Sequence, residues 1–169
     1  MKKILLSAIS LLWITFNCKS QNLDRLESAF ETIPKTTAIP CQYEMAWKLK
    51  PNGKHYFINK DSTRLEIDWF RTPSLPFYDS QQTNLETVIA YYNWNLKEAN
   101  NSERFSVEKI EENVEKGFII LKITDNQEEF YRLLSRNDES VCSIKIFDKT
   151  MALESQLDHL RVLYDLNRK

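Results

Sequence analysis

The side chains able to do chemistry are few in this chain of 169 residues. It holds two histidines, His55 and His159, three cysteines, Cys18, Cys41 and Cys142, and two glycines, Gly53 and Gly117. Two glycines cannot build a phosphate-cradling loop or a Gly-x-Ser-x-Gly nucleophile turn, which argues against nucleotide-binding and serine-hydrolase readings. Neither His-Glu-x-x-His nor Cys-x-x-Cys occurs, so no metal site is expected and no cofactor is called for. Asp158 and His159 are adjacent on a helical stretch and point apart, so they read as a surface pair and not a dyad. His55 follows a hairpin turn, where an exposed imidazole is expected.

The carboxylates offer a second possibility. Glu66 and Asp68 lie at i,i+2 beside Arg64 and share one strand face. Two carboxyl groups do acid–base work only where burial separates their pKa values. The opposite face, Leu65, Ile67 and Trp69, takes the core, so Glu66 and Asp68 are expected in water. The acidic run Glu108 to Glu115 likewise reads as a solvated hairpin end. The expectation is a non-enzymatic binding protein. The alternative is a small periplasmic hydrolase whose site is assembled only in three dimensions.

Aromatic residues carry the binding reading. Tyr91 and Trp94 stand three apart on a helix, off its main apolar face. Leu75, Phe77 and Tyr78 lie in a loop punctuated by Pro73 and Pro76, and loops on a rigid scaffold concentrate function. Exposed Tyr and Trp give large contact area at small entropic cost, which suits a partner surface. The same residues could instead form a wider apolar stripe on the helix and a lid tucked over a sheet edge.

These residues must be positioned by a scaffold that hydropathy periodicity outlines. Leu23, Leu26, Phe30 and Ile33 predict a helix over 22–33, ended by Pro34. Tyr43, Met45, Trp47 and Leu49 alternate with polar residues as in a half-buried strand. Asn52-Gly53 is a hairpin turn signal, and a return strand runs from Tyr56 to Asn59. Leu65, Ile67 and Trp69 mark a third strand. Thr83-Asn84-Leu85-Glu86 has capping-box spacing and opens a helix to about Ala99, with Leu85, Val88, Ile89, Tyr92 and Leu96 on one face. Strands follow at Phe105–Ile110, Gly117–Thr124, Phe130–Leu134 and Val141–Phe147, the last after the turn Arg136-Asn137-Asp138-Glu139. A helix from Ala152 to Asn167 closes the chain, with Leu153, Leu157, Leu160 and Tyr164 on one side. The fold class is therefore α+β, an antiparallel sheet of about six or seven strands with helices packed on it, in the order α-βββ-α-ββββ-α.

That element order, and the run from Gly117 through the hairpin Tyr131–Phe147 to the helix at Ala152, resembles the PsbP-like fold. The resemblance implies a PsbP-like sandwich over residues 40–167 and an accessory role without catalysis.

The first twenty residues stand apart. Lys2 and Lys3 precede an uncharged stretch from Ile4 to Phe16, the pattern of an export signal and too short for a comfortable membrane span. Two ends are open: cleavage after Ser20, with Cys18 at −3, or acylation of Cys18. The run Asn17-Cys18-Lys19-Ser20-Gln21 resembles the cleavage regions of Gram-negative envelope lipoproteins, although Phe16 and Asn17 replace the usual aliphatic and small residues. Residues 1–20 are thus read as the signal, 21–39 as an N-terminal helix and connector, and 40–169 as one domain. Localisation follows: periplasm or cell envelope, with membrane contact only through a possible lipid anchor.

Loss of 1–20 removes three lysines and no acid, leaving an acidic chain without a basic cluster, a poor partner for nucleic acid. A protein partner in the envelope is expected, and an immunity or inhibitor protein is one form of this. Cys41 and Cys142 remain as an even pair in an oxidising compartment. A bridge between them would close a loop of roughly 100 residues and contribute up to about 4.7 kcal/mol, while two buried thiols would pack as small hydrophobes.

Overall fold

The structure is a computed structural model, and it describes residues 37–40, 42–48, 55–102, 105–126, 128–137 and 139–168. The export signal with Cys18 and Ser20, the 22–33 helix, Cys41 and the Asn52-Gly53 turn lie outside the described residues. Seven strands form one antiparallel sheet: β1 (Tyr43–Lys48), β2 (His55–Asn59), β3 (Arg64–Arg71), β4 (Phe105–Asn113), β5 (Phe118–Asp125), β6 (Glu128–Asn137) and β7 (Ser140–Phe147). Helix α1 (Asn84–Asn100) joins β3 to β4, and α2 (Leu153–Asn167) follows β7. The chain is thus of the α+β class expected from its hydropathy.

The sheet order is β1-β2-β3-β7-β6-β5-β4. Two meanders therefore meet where the last strand pairs with the third, and eight residue pairs from Arg64↔Phe147 to Arg71↔Ser140 join them. β3 and β7 become central strands with both faces covered. Gly117, at φ +71°, closes the β4–β5 turn in a conformation that a side chain would strain. β4 extends three residues past the expected end, and Glu111 and Glu112 pair with Ile120 and Ile119. The acidic run is therefore mostly edge strand and not turn. The ladder needs only backbone groups, and charged side chains on an edge discourage pairing with other chains.

Each face carries its own core. Leu157, Leu160, Leu163 and Tyr164 of α2 pack with Leu65, Ile67, Trp69, Leu133, Ile144 and Ile146 on one side. Val88, Tyr91 and Ala99 of α1 pack with Phe70, Ile119, Leu121, Ile123 and Leu134 on the other, together with Leu75 of the 72–83 loop. The buried side of α1 runs through Thr87, Val88, Tyr91, Asn95 and Ala99, rotated from the expected stripe. Hydropathy counting discounts Thr87, Tyr91 and Asn95, but the first two find polar partners in the sheet below. In α2, Leu153 is exposed, and Leu163 takes its place in the core.

Candidate functional site

The 72–83 loop and α1 meet in a cluster of rings. The Phe77 ring stacks on Tyr91 at 5.2 Å and lies 6.0 Å from Trp94. Tyr91 is 5.8 Å from Trp94 and meets Phe70 edge-on at 6.3 Å. The structure thus brings three of the five expected binding residues into one ring cluster, with Leu75 and Tyr78 in the same core, but it splits the five by depth. Leu75 and Tyr91 are buried, while Phe77, Tyr78 and Trp94 are half-buried and present only part of their surface to solvent. Tyr91 is therefore a core anchor and cannot itself touch an outside partner.

The loop is held by more than its rings. Arg136 on β6 donates to Thr87 Oγ1 at 2.6 Å and to the Gln82 carbonyl at 3.1 Å, and its guanidinium lies 5.5 Å from the Tyr78 ring centre. Thr72 N donates to the Glu139 carbonyl at 2.9 Å, tying the loop's start to the β6–β7 turn. The capping box at the start of α1 is fully formed: Glu86 N donates to Thr83 Oγ1, and Thr83 N donates to Glu86 Oε2. Those bonds from Thr83 lower the Glu86 carboxyl below its ordinary range.

Beneath the rings lies the largest departure from the sequence reading. Glu66 and Asp68 are not in water: they are 2% and 1% exposed. The ammonium of Lys145 sits 2.6 Å from Glu66 Oε1 and 3.9 Å from Asp68 Oδ2. Register explains the meeting, since Glu66 is opposite Lys145 across β3–β7, and Lys145 is opposite Arg132 across β6–β7. Arg132, fully buried, donates to Ser143 Oγ at 2.8 Å and to the Tyr91 hydroxyl at 2.9 Å. A strip of charge thus runs under the face that holds α1 and connects through Tyr91 to the ring cluster. Alternation alone misses it, because it assigns β3 one wet face. The signal was present as lone cations inside apolar strands, Arg132 between Tyr131 and Leu133, and Lys145 between Ile144 and Ile146.

These charges face one another inside the protein, and Arg132 holds the hydroxyl of Tyr91, the ring against which Phe77 stacks. Their chemistry is therefore positional: charge-assisted hydrogen bonds hold side chains in one geometry. Among the described residues no group of three or more His, Cys, Asp or Glu is arranged to hold a metal ion.

The histidines lie elsewhere. His55 is half-buried, and its ring lies against Phe57 with centroids 6.4 Å apart. Its place opposite Ile67, on the face covered by α2, accounts for the burial that the turn position did not suggest. His159 Nδ1 contacts the Ser155 carbonyl at 2.8 Å, while the Asp158 carboxylate turns to Arg161 at 2.6 Å. Cys142 is buried on β7 and borders a cavity of about 40 Å³ together with Trp69, Ser135, Tyr164 and Asn167.

At the opposite end of the sheet a polar groove of about 320 Å³ opens between the β2–β3 turn and the β7–α2 connection. Asp148 anchors its edge. Burial pushes the Asp148 carboxyl up, but hydrogen bonds from Thr63, Thr150 and Met151 outweigh it and hold it at about 2. No protein-family model matches the chain, and no curated protein matches it in sequence.

Proposed function

We propose that this chain is an exported, non-catalytic binding protein of the bacterial cell envelope that presents the face over α1 to a protein partner. The supporting observation is the preset geometry of the loop aromatics. Phe77 is stacked on a buried Tyr91, and Arg136 pins the loop from below. A surface ordered before contact loses less entropy on binding. The half-buried Phe77, Tyr78 and Trp94 supply the ring types that anchor interfaces.

The order of three strands, helix, four strands and helix supports the PsbP-like reading of the architecture. Export rests on residues 1–20, with either a cleaved end after Ser20 or a lipid at Cys18. The Cys41–Cys142 bridge belongs to the same reading, and two reactive sulfhydryls on the denatured mature chain would remove it.

The test is crosslinked affinity purification of the tagged protein from its native envelope. One near-stoichiometric protein, lost on Trp94→Ala, is expected. Recovery that is identical for the wild type and Trp94→Ala overturns the assignment of the face.

A further inference from the structure

We propose that Ser62 is the acceptor of an O-linked sugar that lies along the groove beside it. The inference rests on the export reading, since it needs a compartment where lipid-linked sugars are transferred to protein.

The β2–β3 turn is tightly held. Asn59 Oδ1 accepts from the amides of Asp61 and Thr63, both at 2.9 Å, and Ser62 N donates to the Asn59 carbonyl. Within it Ser62 adopts φ +65°, a left-handed conformation where glycine or asparagine would be relaxed. A strained residue at a rigid, exposed position is an observation that asks for a function.

The hydroxyls around this turn divide cleanly. Thr63 Oγ1 and Thr150 Oγ1 both donate to Asp148. The Ser62 hydroxyl makes no hydrogen bond among the described residues, and Ser62 is exposed. It is thus the available hydroxyl at this turn and beside the groove. Beside it the Asp61 carboxylate likewise takes no hydrogen bond from the described residues.

Ser62 also borders the groove of about 320 Å³, whose walls include Asp61, Arg64, Phe147, Asp148 and Thr150. That volume falls at the lower end of small-molecule pockets. Its lining holds the carboxylates of Asp61, Glu128, Glu129 and Asp148, the Thr150 hydroxyl and the Lys149 ammonium, groups that hydrogen-bond sugar hydroxyls, while the Arg64 guanidinium pairs with Glu128 and lies 4.9 Å from the centre of the Phe147 ring. A sugar attached at Ser62 Oγ would enter the groove without crossing the fold.

The step balances with a sugar linked to a lipid diphosphate as donor. The Ser62 oxygen forms the new bond to the anomeric carbon. The bond from that carbon to the diphosphate oxygen breaks and leaves its electron pair on the lipid diphosphate. The hydroxyl proton passes to a base of the transferring enzyme, and nothing is oxidised or reduced.

The experiment is peptide mapping by mass spectrometry of the full chain purified from the envelope of its own source, with Ser62→Gly as the comparison. Glycine relaxes the turn, so that variant folds. The expected result is a peptide covering Ser62 that is heavier by one or more sugar residues, with the gain lost in Ser62→Gly. A processed N-terminus together with an unmodified Ser62 peptide overturns the proposal and leaves the export reading intact. A chain that keeps residues 1–20 and lies in the cytoplasm overturns both. A phosphate mass at Ser62 overturns the sugar assignment.

Discussion

Removing the charge of Lys145 tests whether the buried strip holds the α1 face together. Lys145→Met keeps the length and apolar stem of the side chain but removes the ammonium that sits 2.6 Å from Glu66 and 3.9 Å from Asp68. At an effective dielectric of about 20, the two attractions are about 6 and about 4 kcal/mol before desolvation is counted. Taking three charges out of water offsets most of that gain. Breaking a buried pair from one side costs about 3–5 kcal/mol, because the partner charge stays behind. For a domain of this size that corresponds to a fall in Tm of about 10–20 °C. The two carboxylates left behind can relieve their burial by taking up protons. The deficit should therefore be largest near neutral pH and shrink as pH falls through the ordinary carboxylate range. Adding Glu66→Leu to Lys145→Met should restore part of the loss, since an apolar pair of similar volume tolerates the site. Urea unfolding of wild type, both single variants and the double variant, each at two pH values, gives the coupling energy. A Lys145→Met variant within about 0.5 kcal/mol of wild type, inside the range of ordinary surface substitutions, would show that the buried strip does not hold this face together.

Three further outcomes follow from other contacts. Arg136→Ala removes the bonds to Thr87 and Gln82 and should cost about 1–3 kcal/mol, with amide exchange rising in residues 72–83 ahead of the strands; unchanged exchange there contradicts the clamp. Asp148 is held at about 2, so its contribution to stability is present above the ordinary carboxylate range and is lost as pH falls toward 2. Thr63→Val should raise the Asp148 titration midpoint followed by carboxyl NMR, and an unmoved midpoint counts against the hydrogen bond from Thr63. Ser62→Gly in unmodified protein should stabilise by about 1 kcal/mol through relief of the left-handed strain, read from the urea midpoint; destabilisation would mean that the serine side chain supports the turn.

The sequence made the backbone plan legible and left the polar interior hidden. Seven strands and two of the helices follow from period-two and period-3.6 patterns, because those patterns record which side of an element faces apolar neighbours. The capping box at Thr83 was readable because it is local, with both partners within three residues. The burial of Glu66 and Asp68 is not legible locally, because their environment is set by β7, about eighty residues away, and only the β3–β7 register brings Lys145 to them. Tyr91 falls off the apolar face in a hydropathy count for a different reason. A hydroxyl counts against burial in a sequence pattern, but here Arg132 satisfies it inside the protein. His55 departs in the same direction, since a position near a turn suggests exposure while its register puts it over the α2 core.

The proposed docking face is the one over α1. It is tested most directly by a photo-crosslinking residue placed at Tyr78 on that face and, separately, at Val162, which is exposed on α2. Crosslinking in the native envelope should give one discrete adduct from position 78 and none from position 162. An adduct from position 162 alone would move the interface to the opposite side of the sheet and contradict the account.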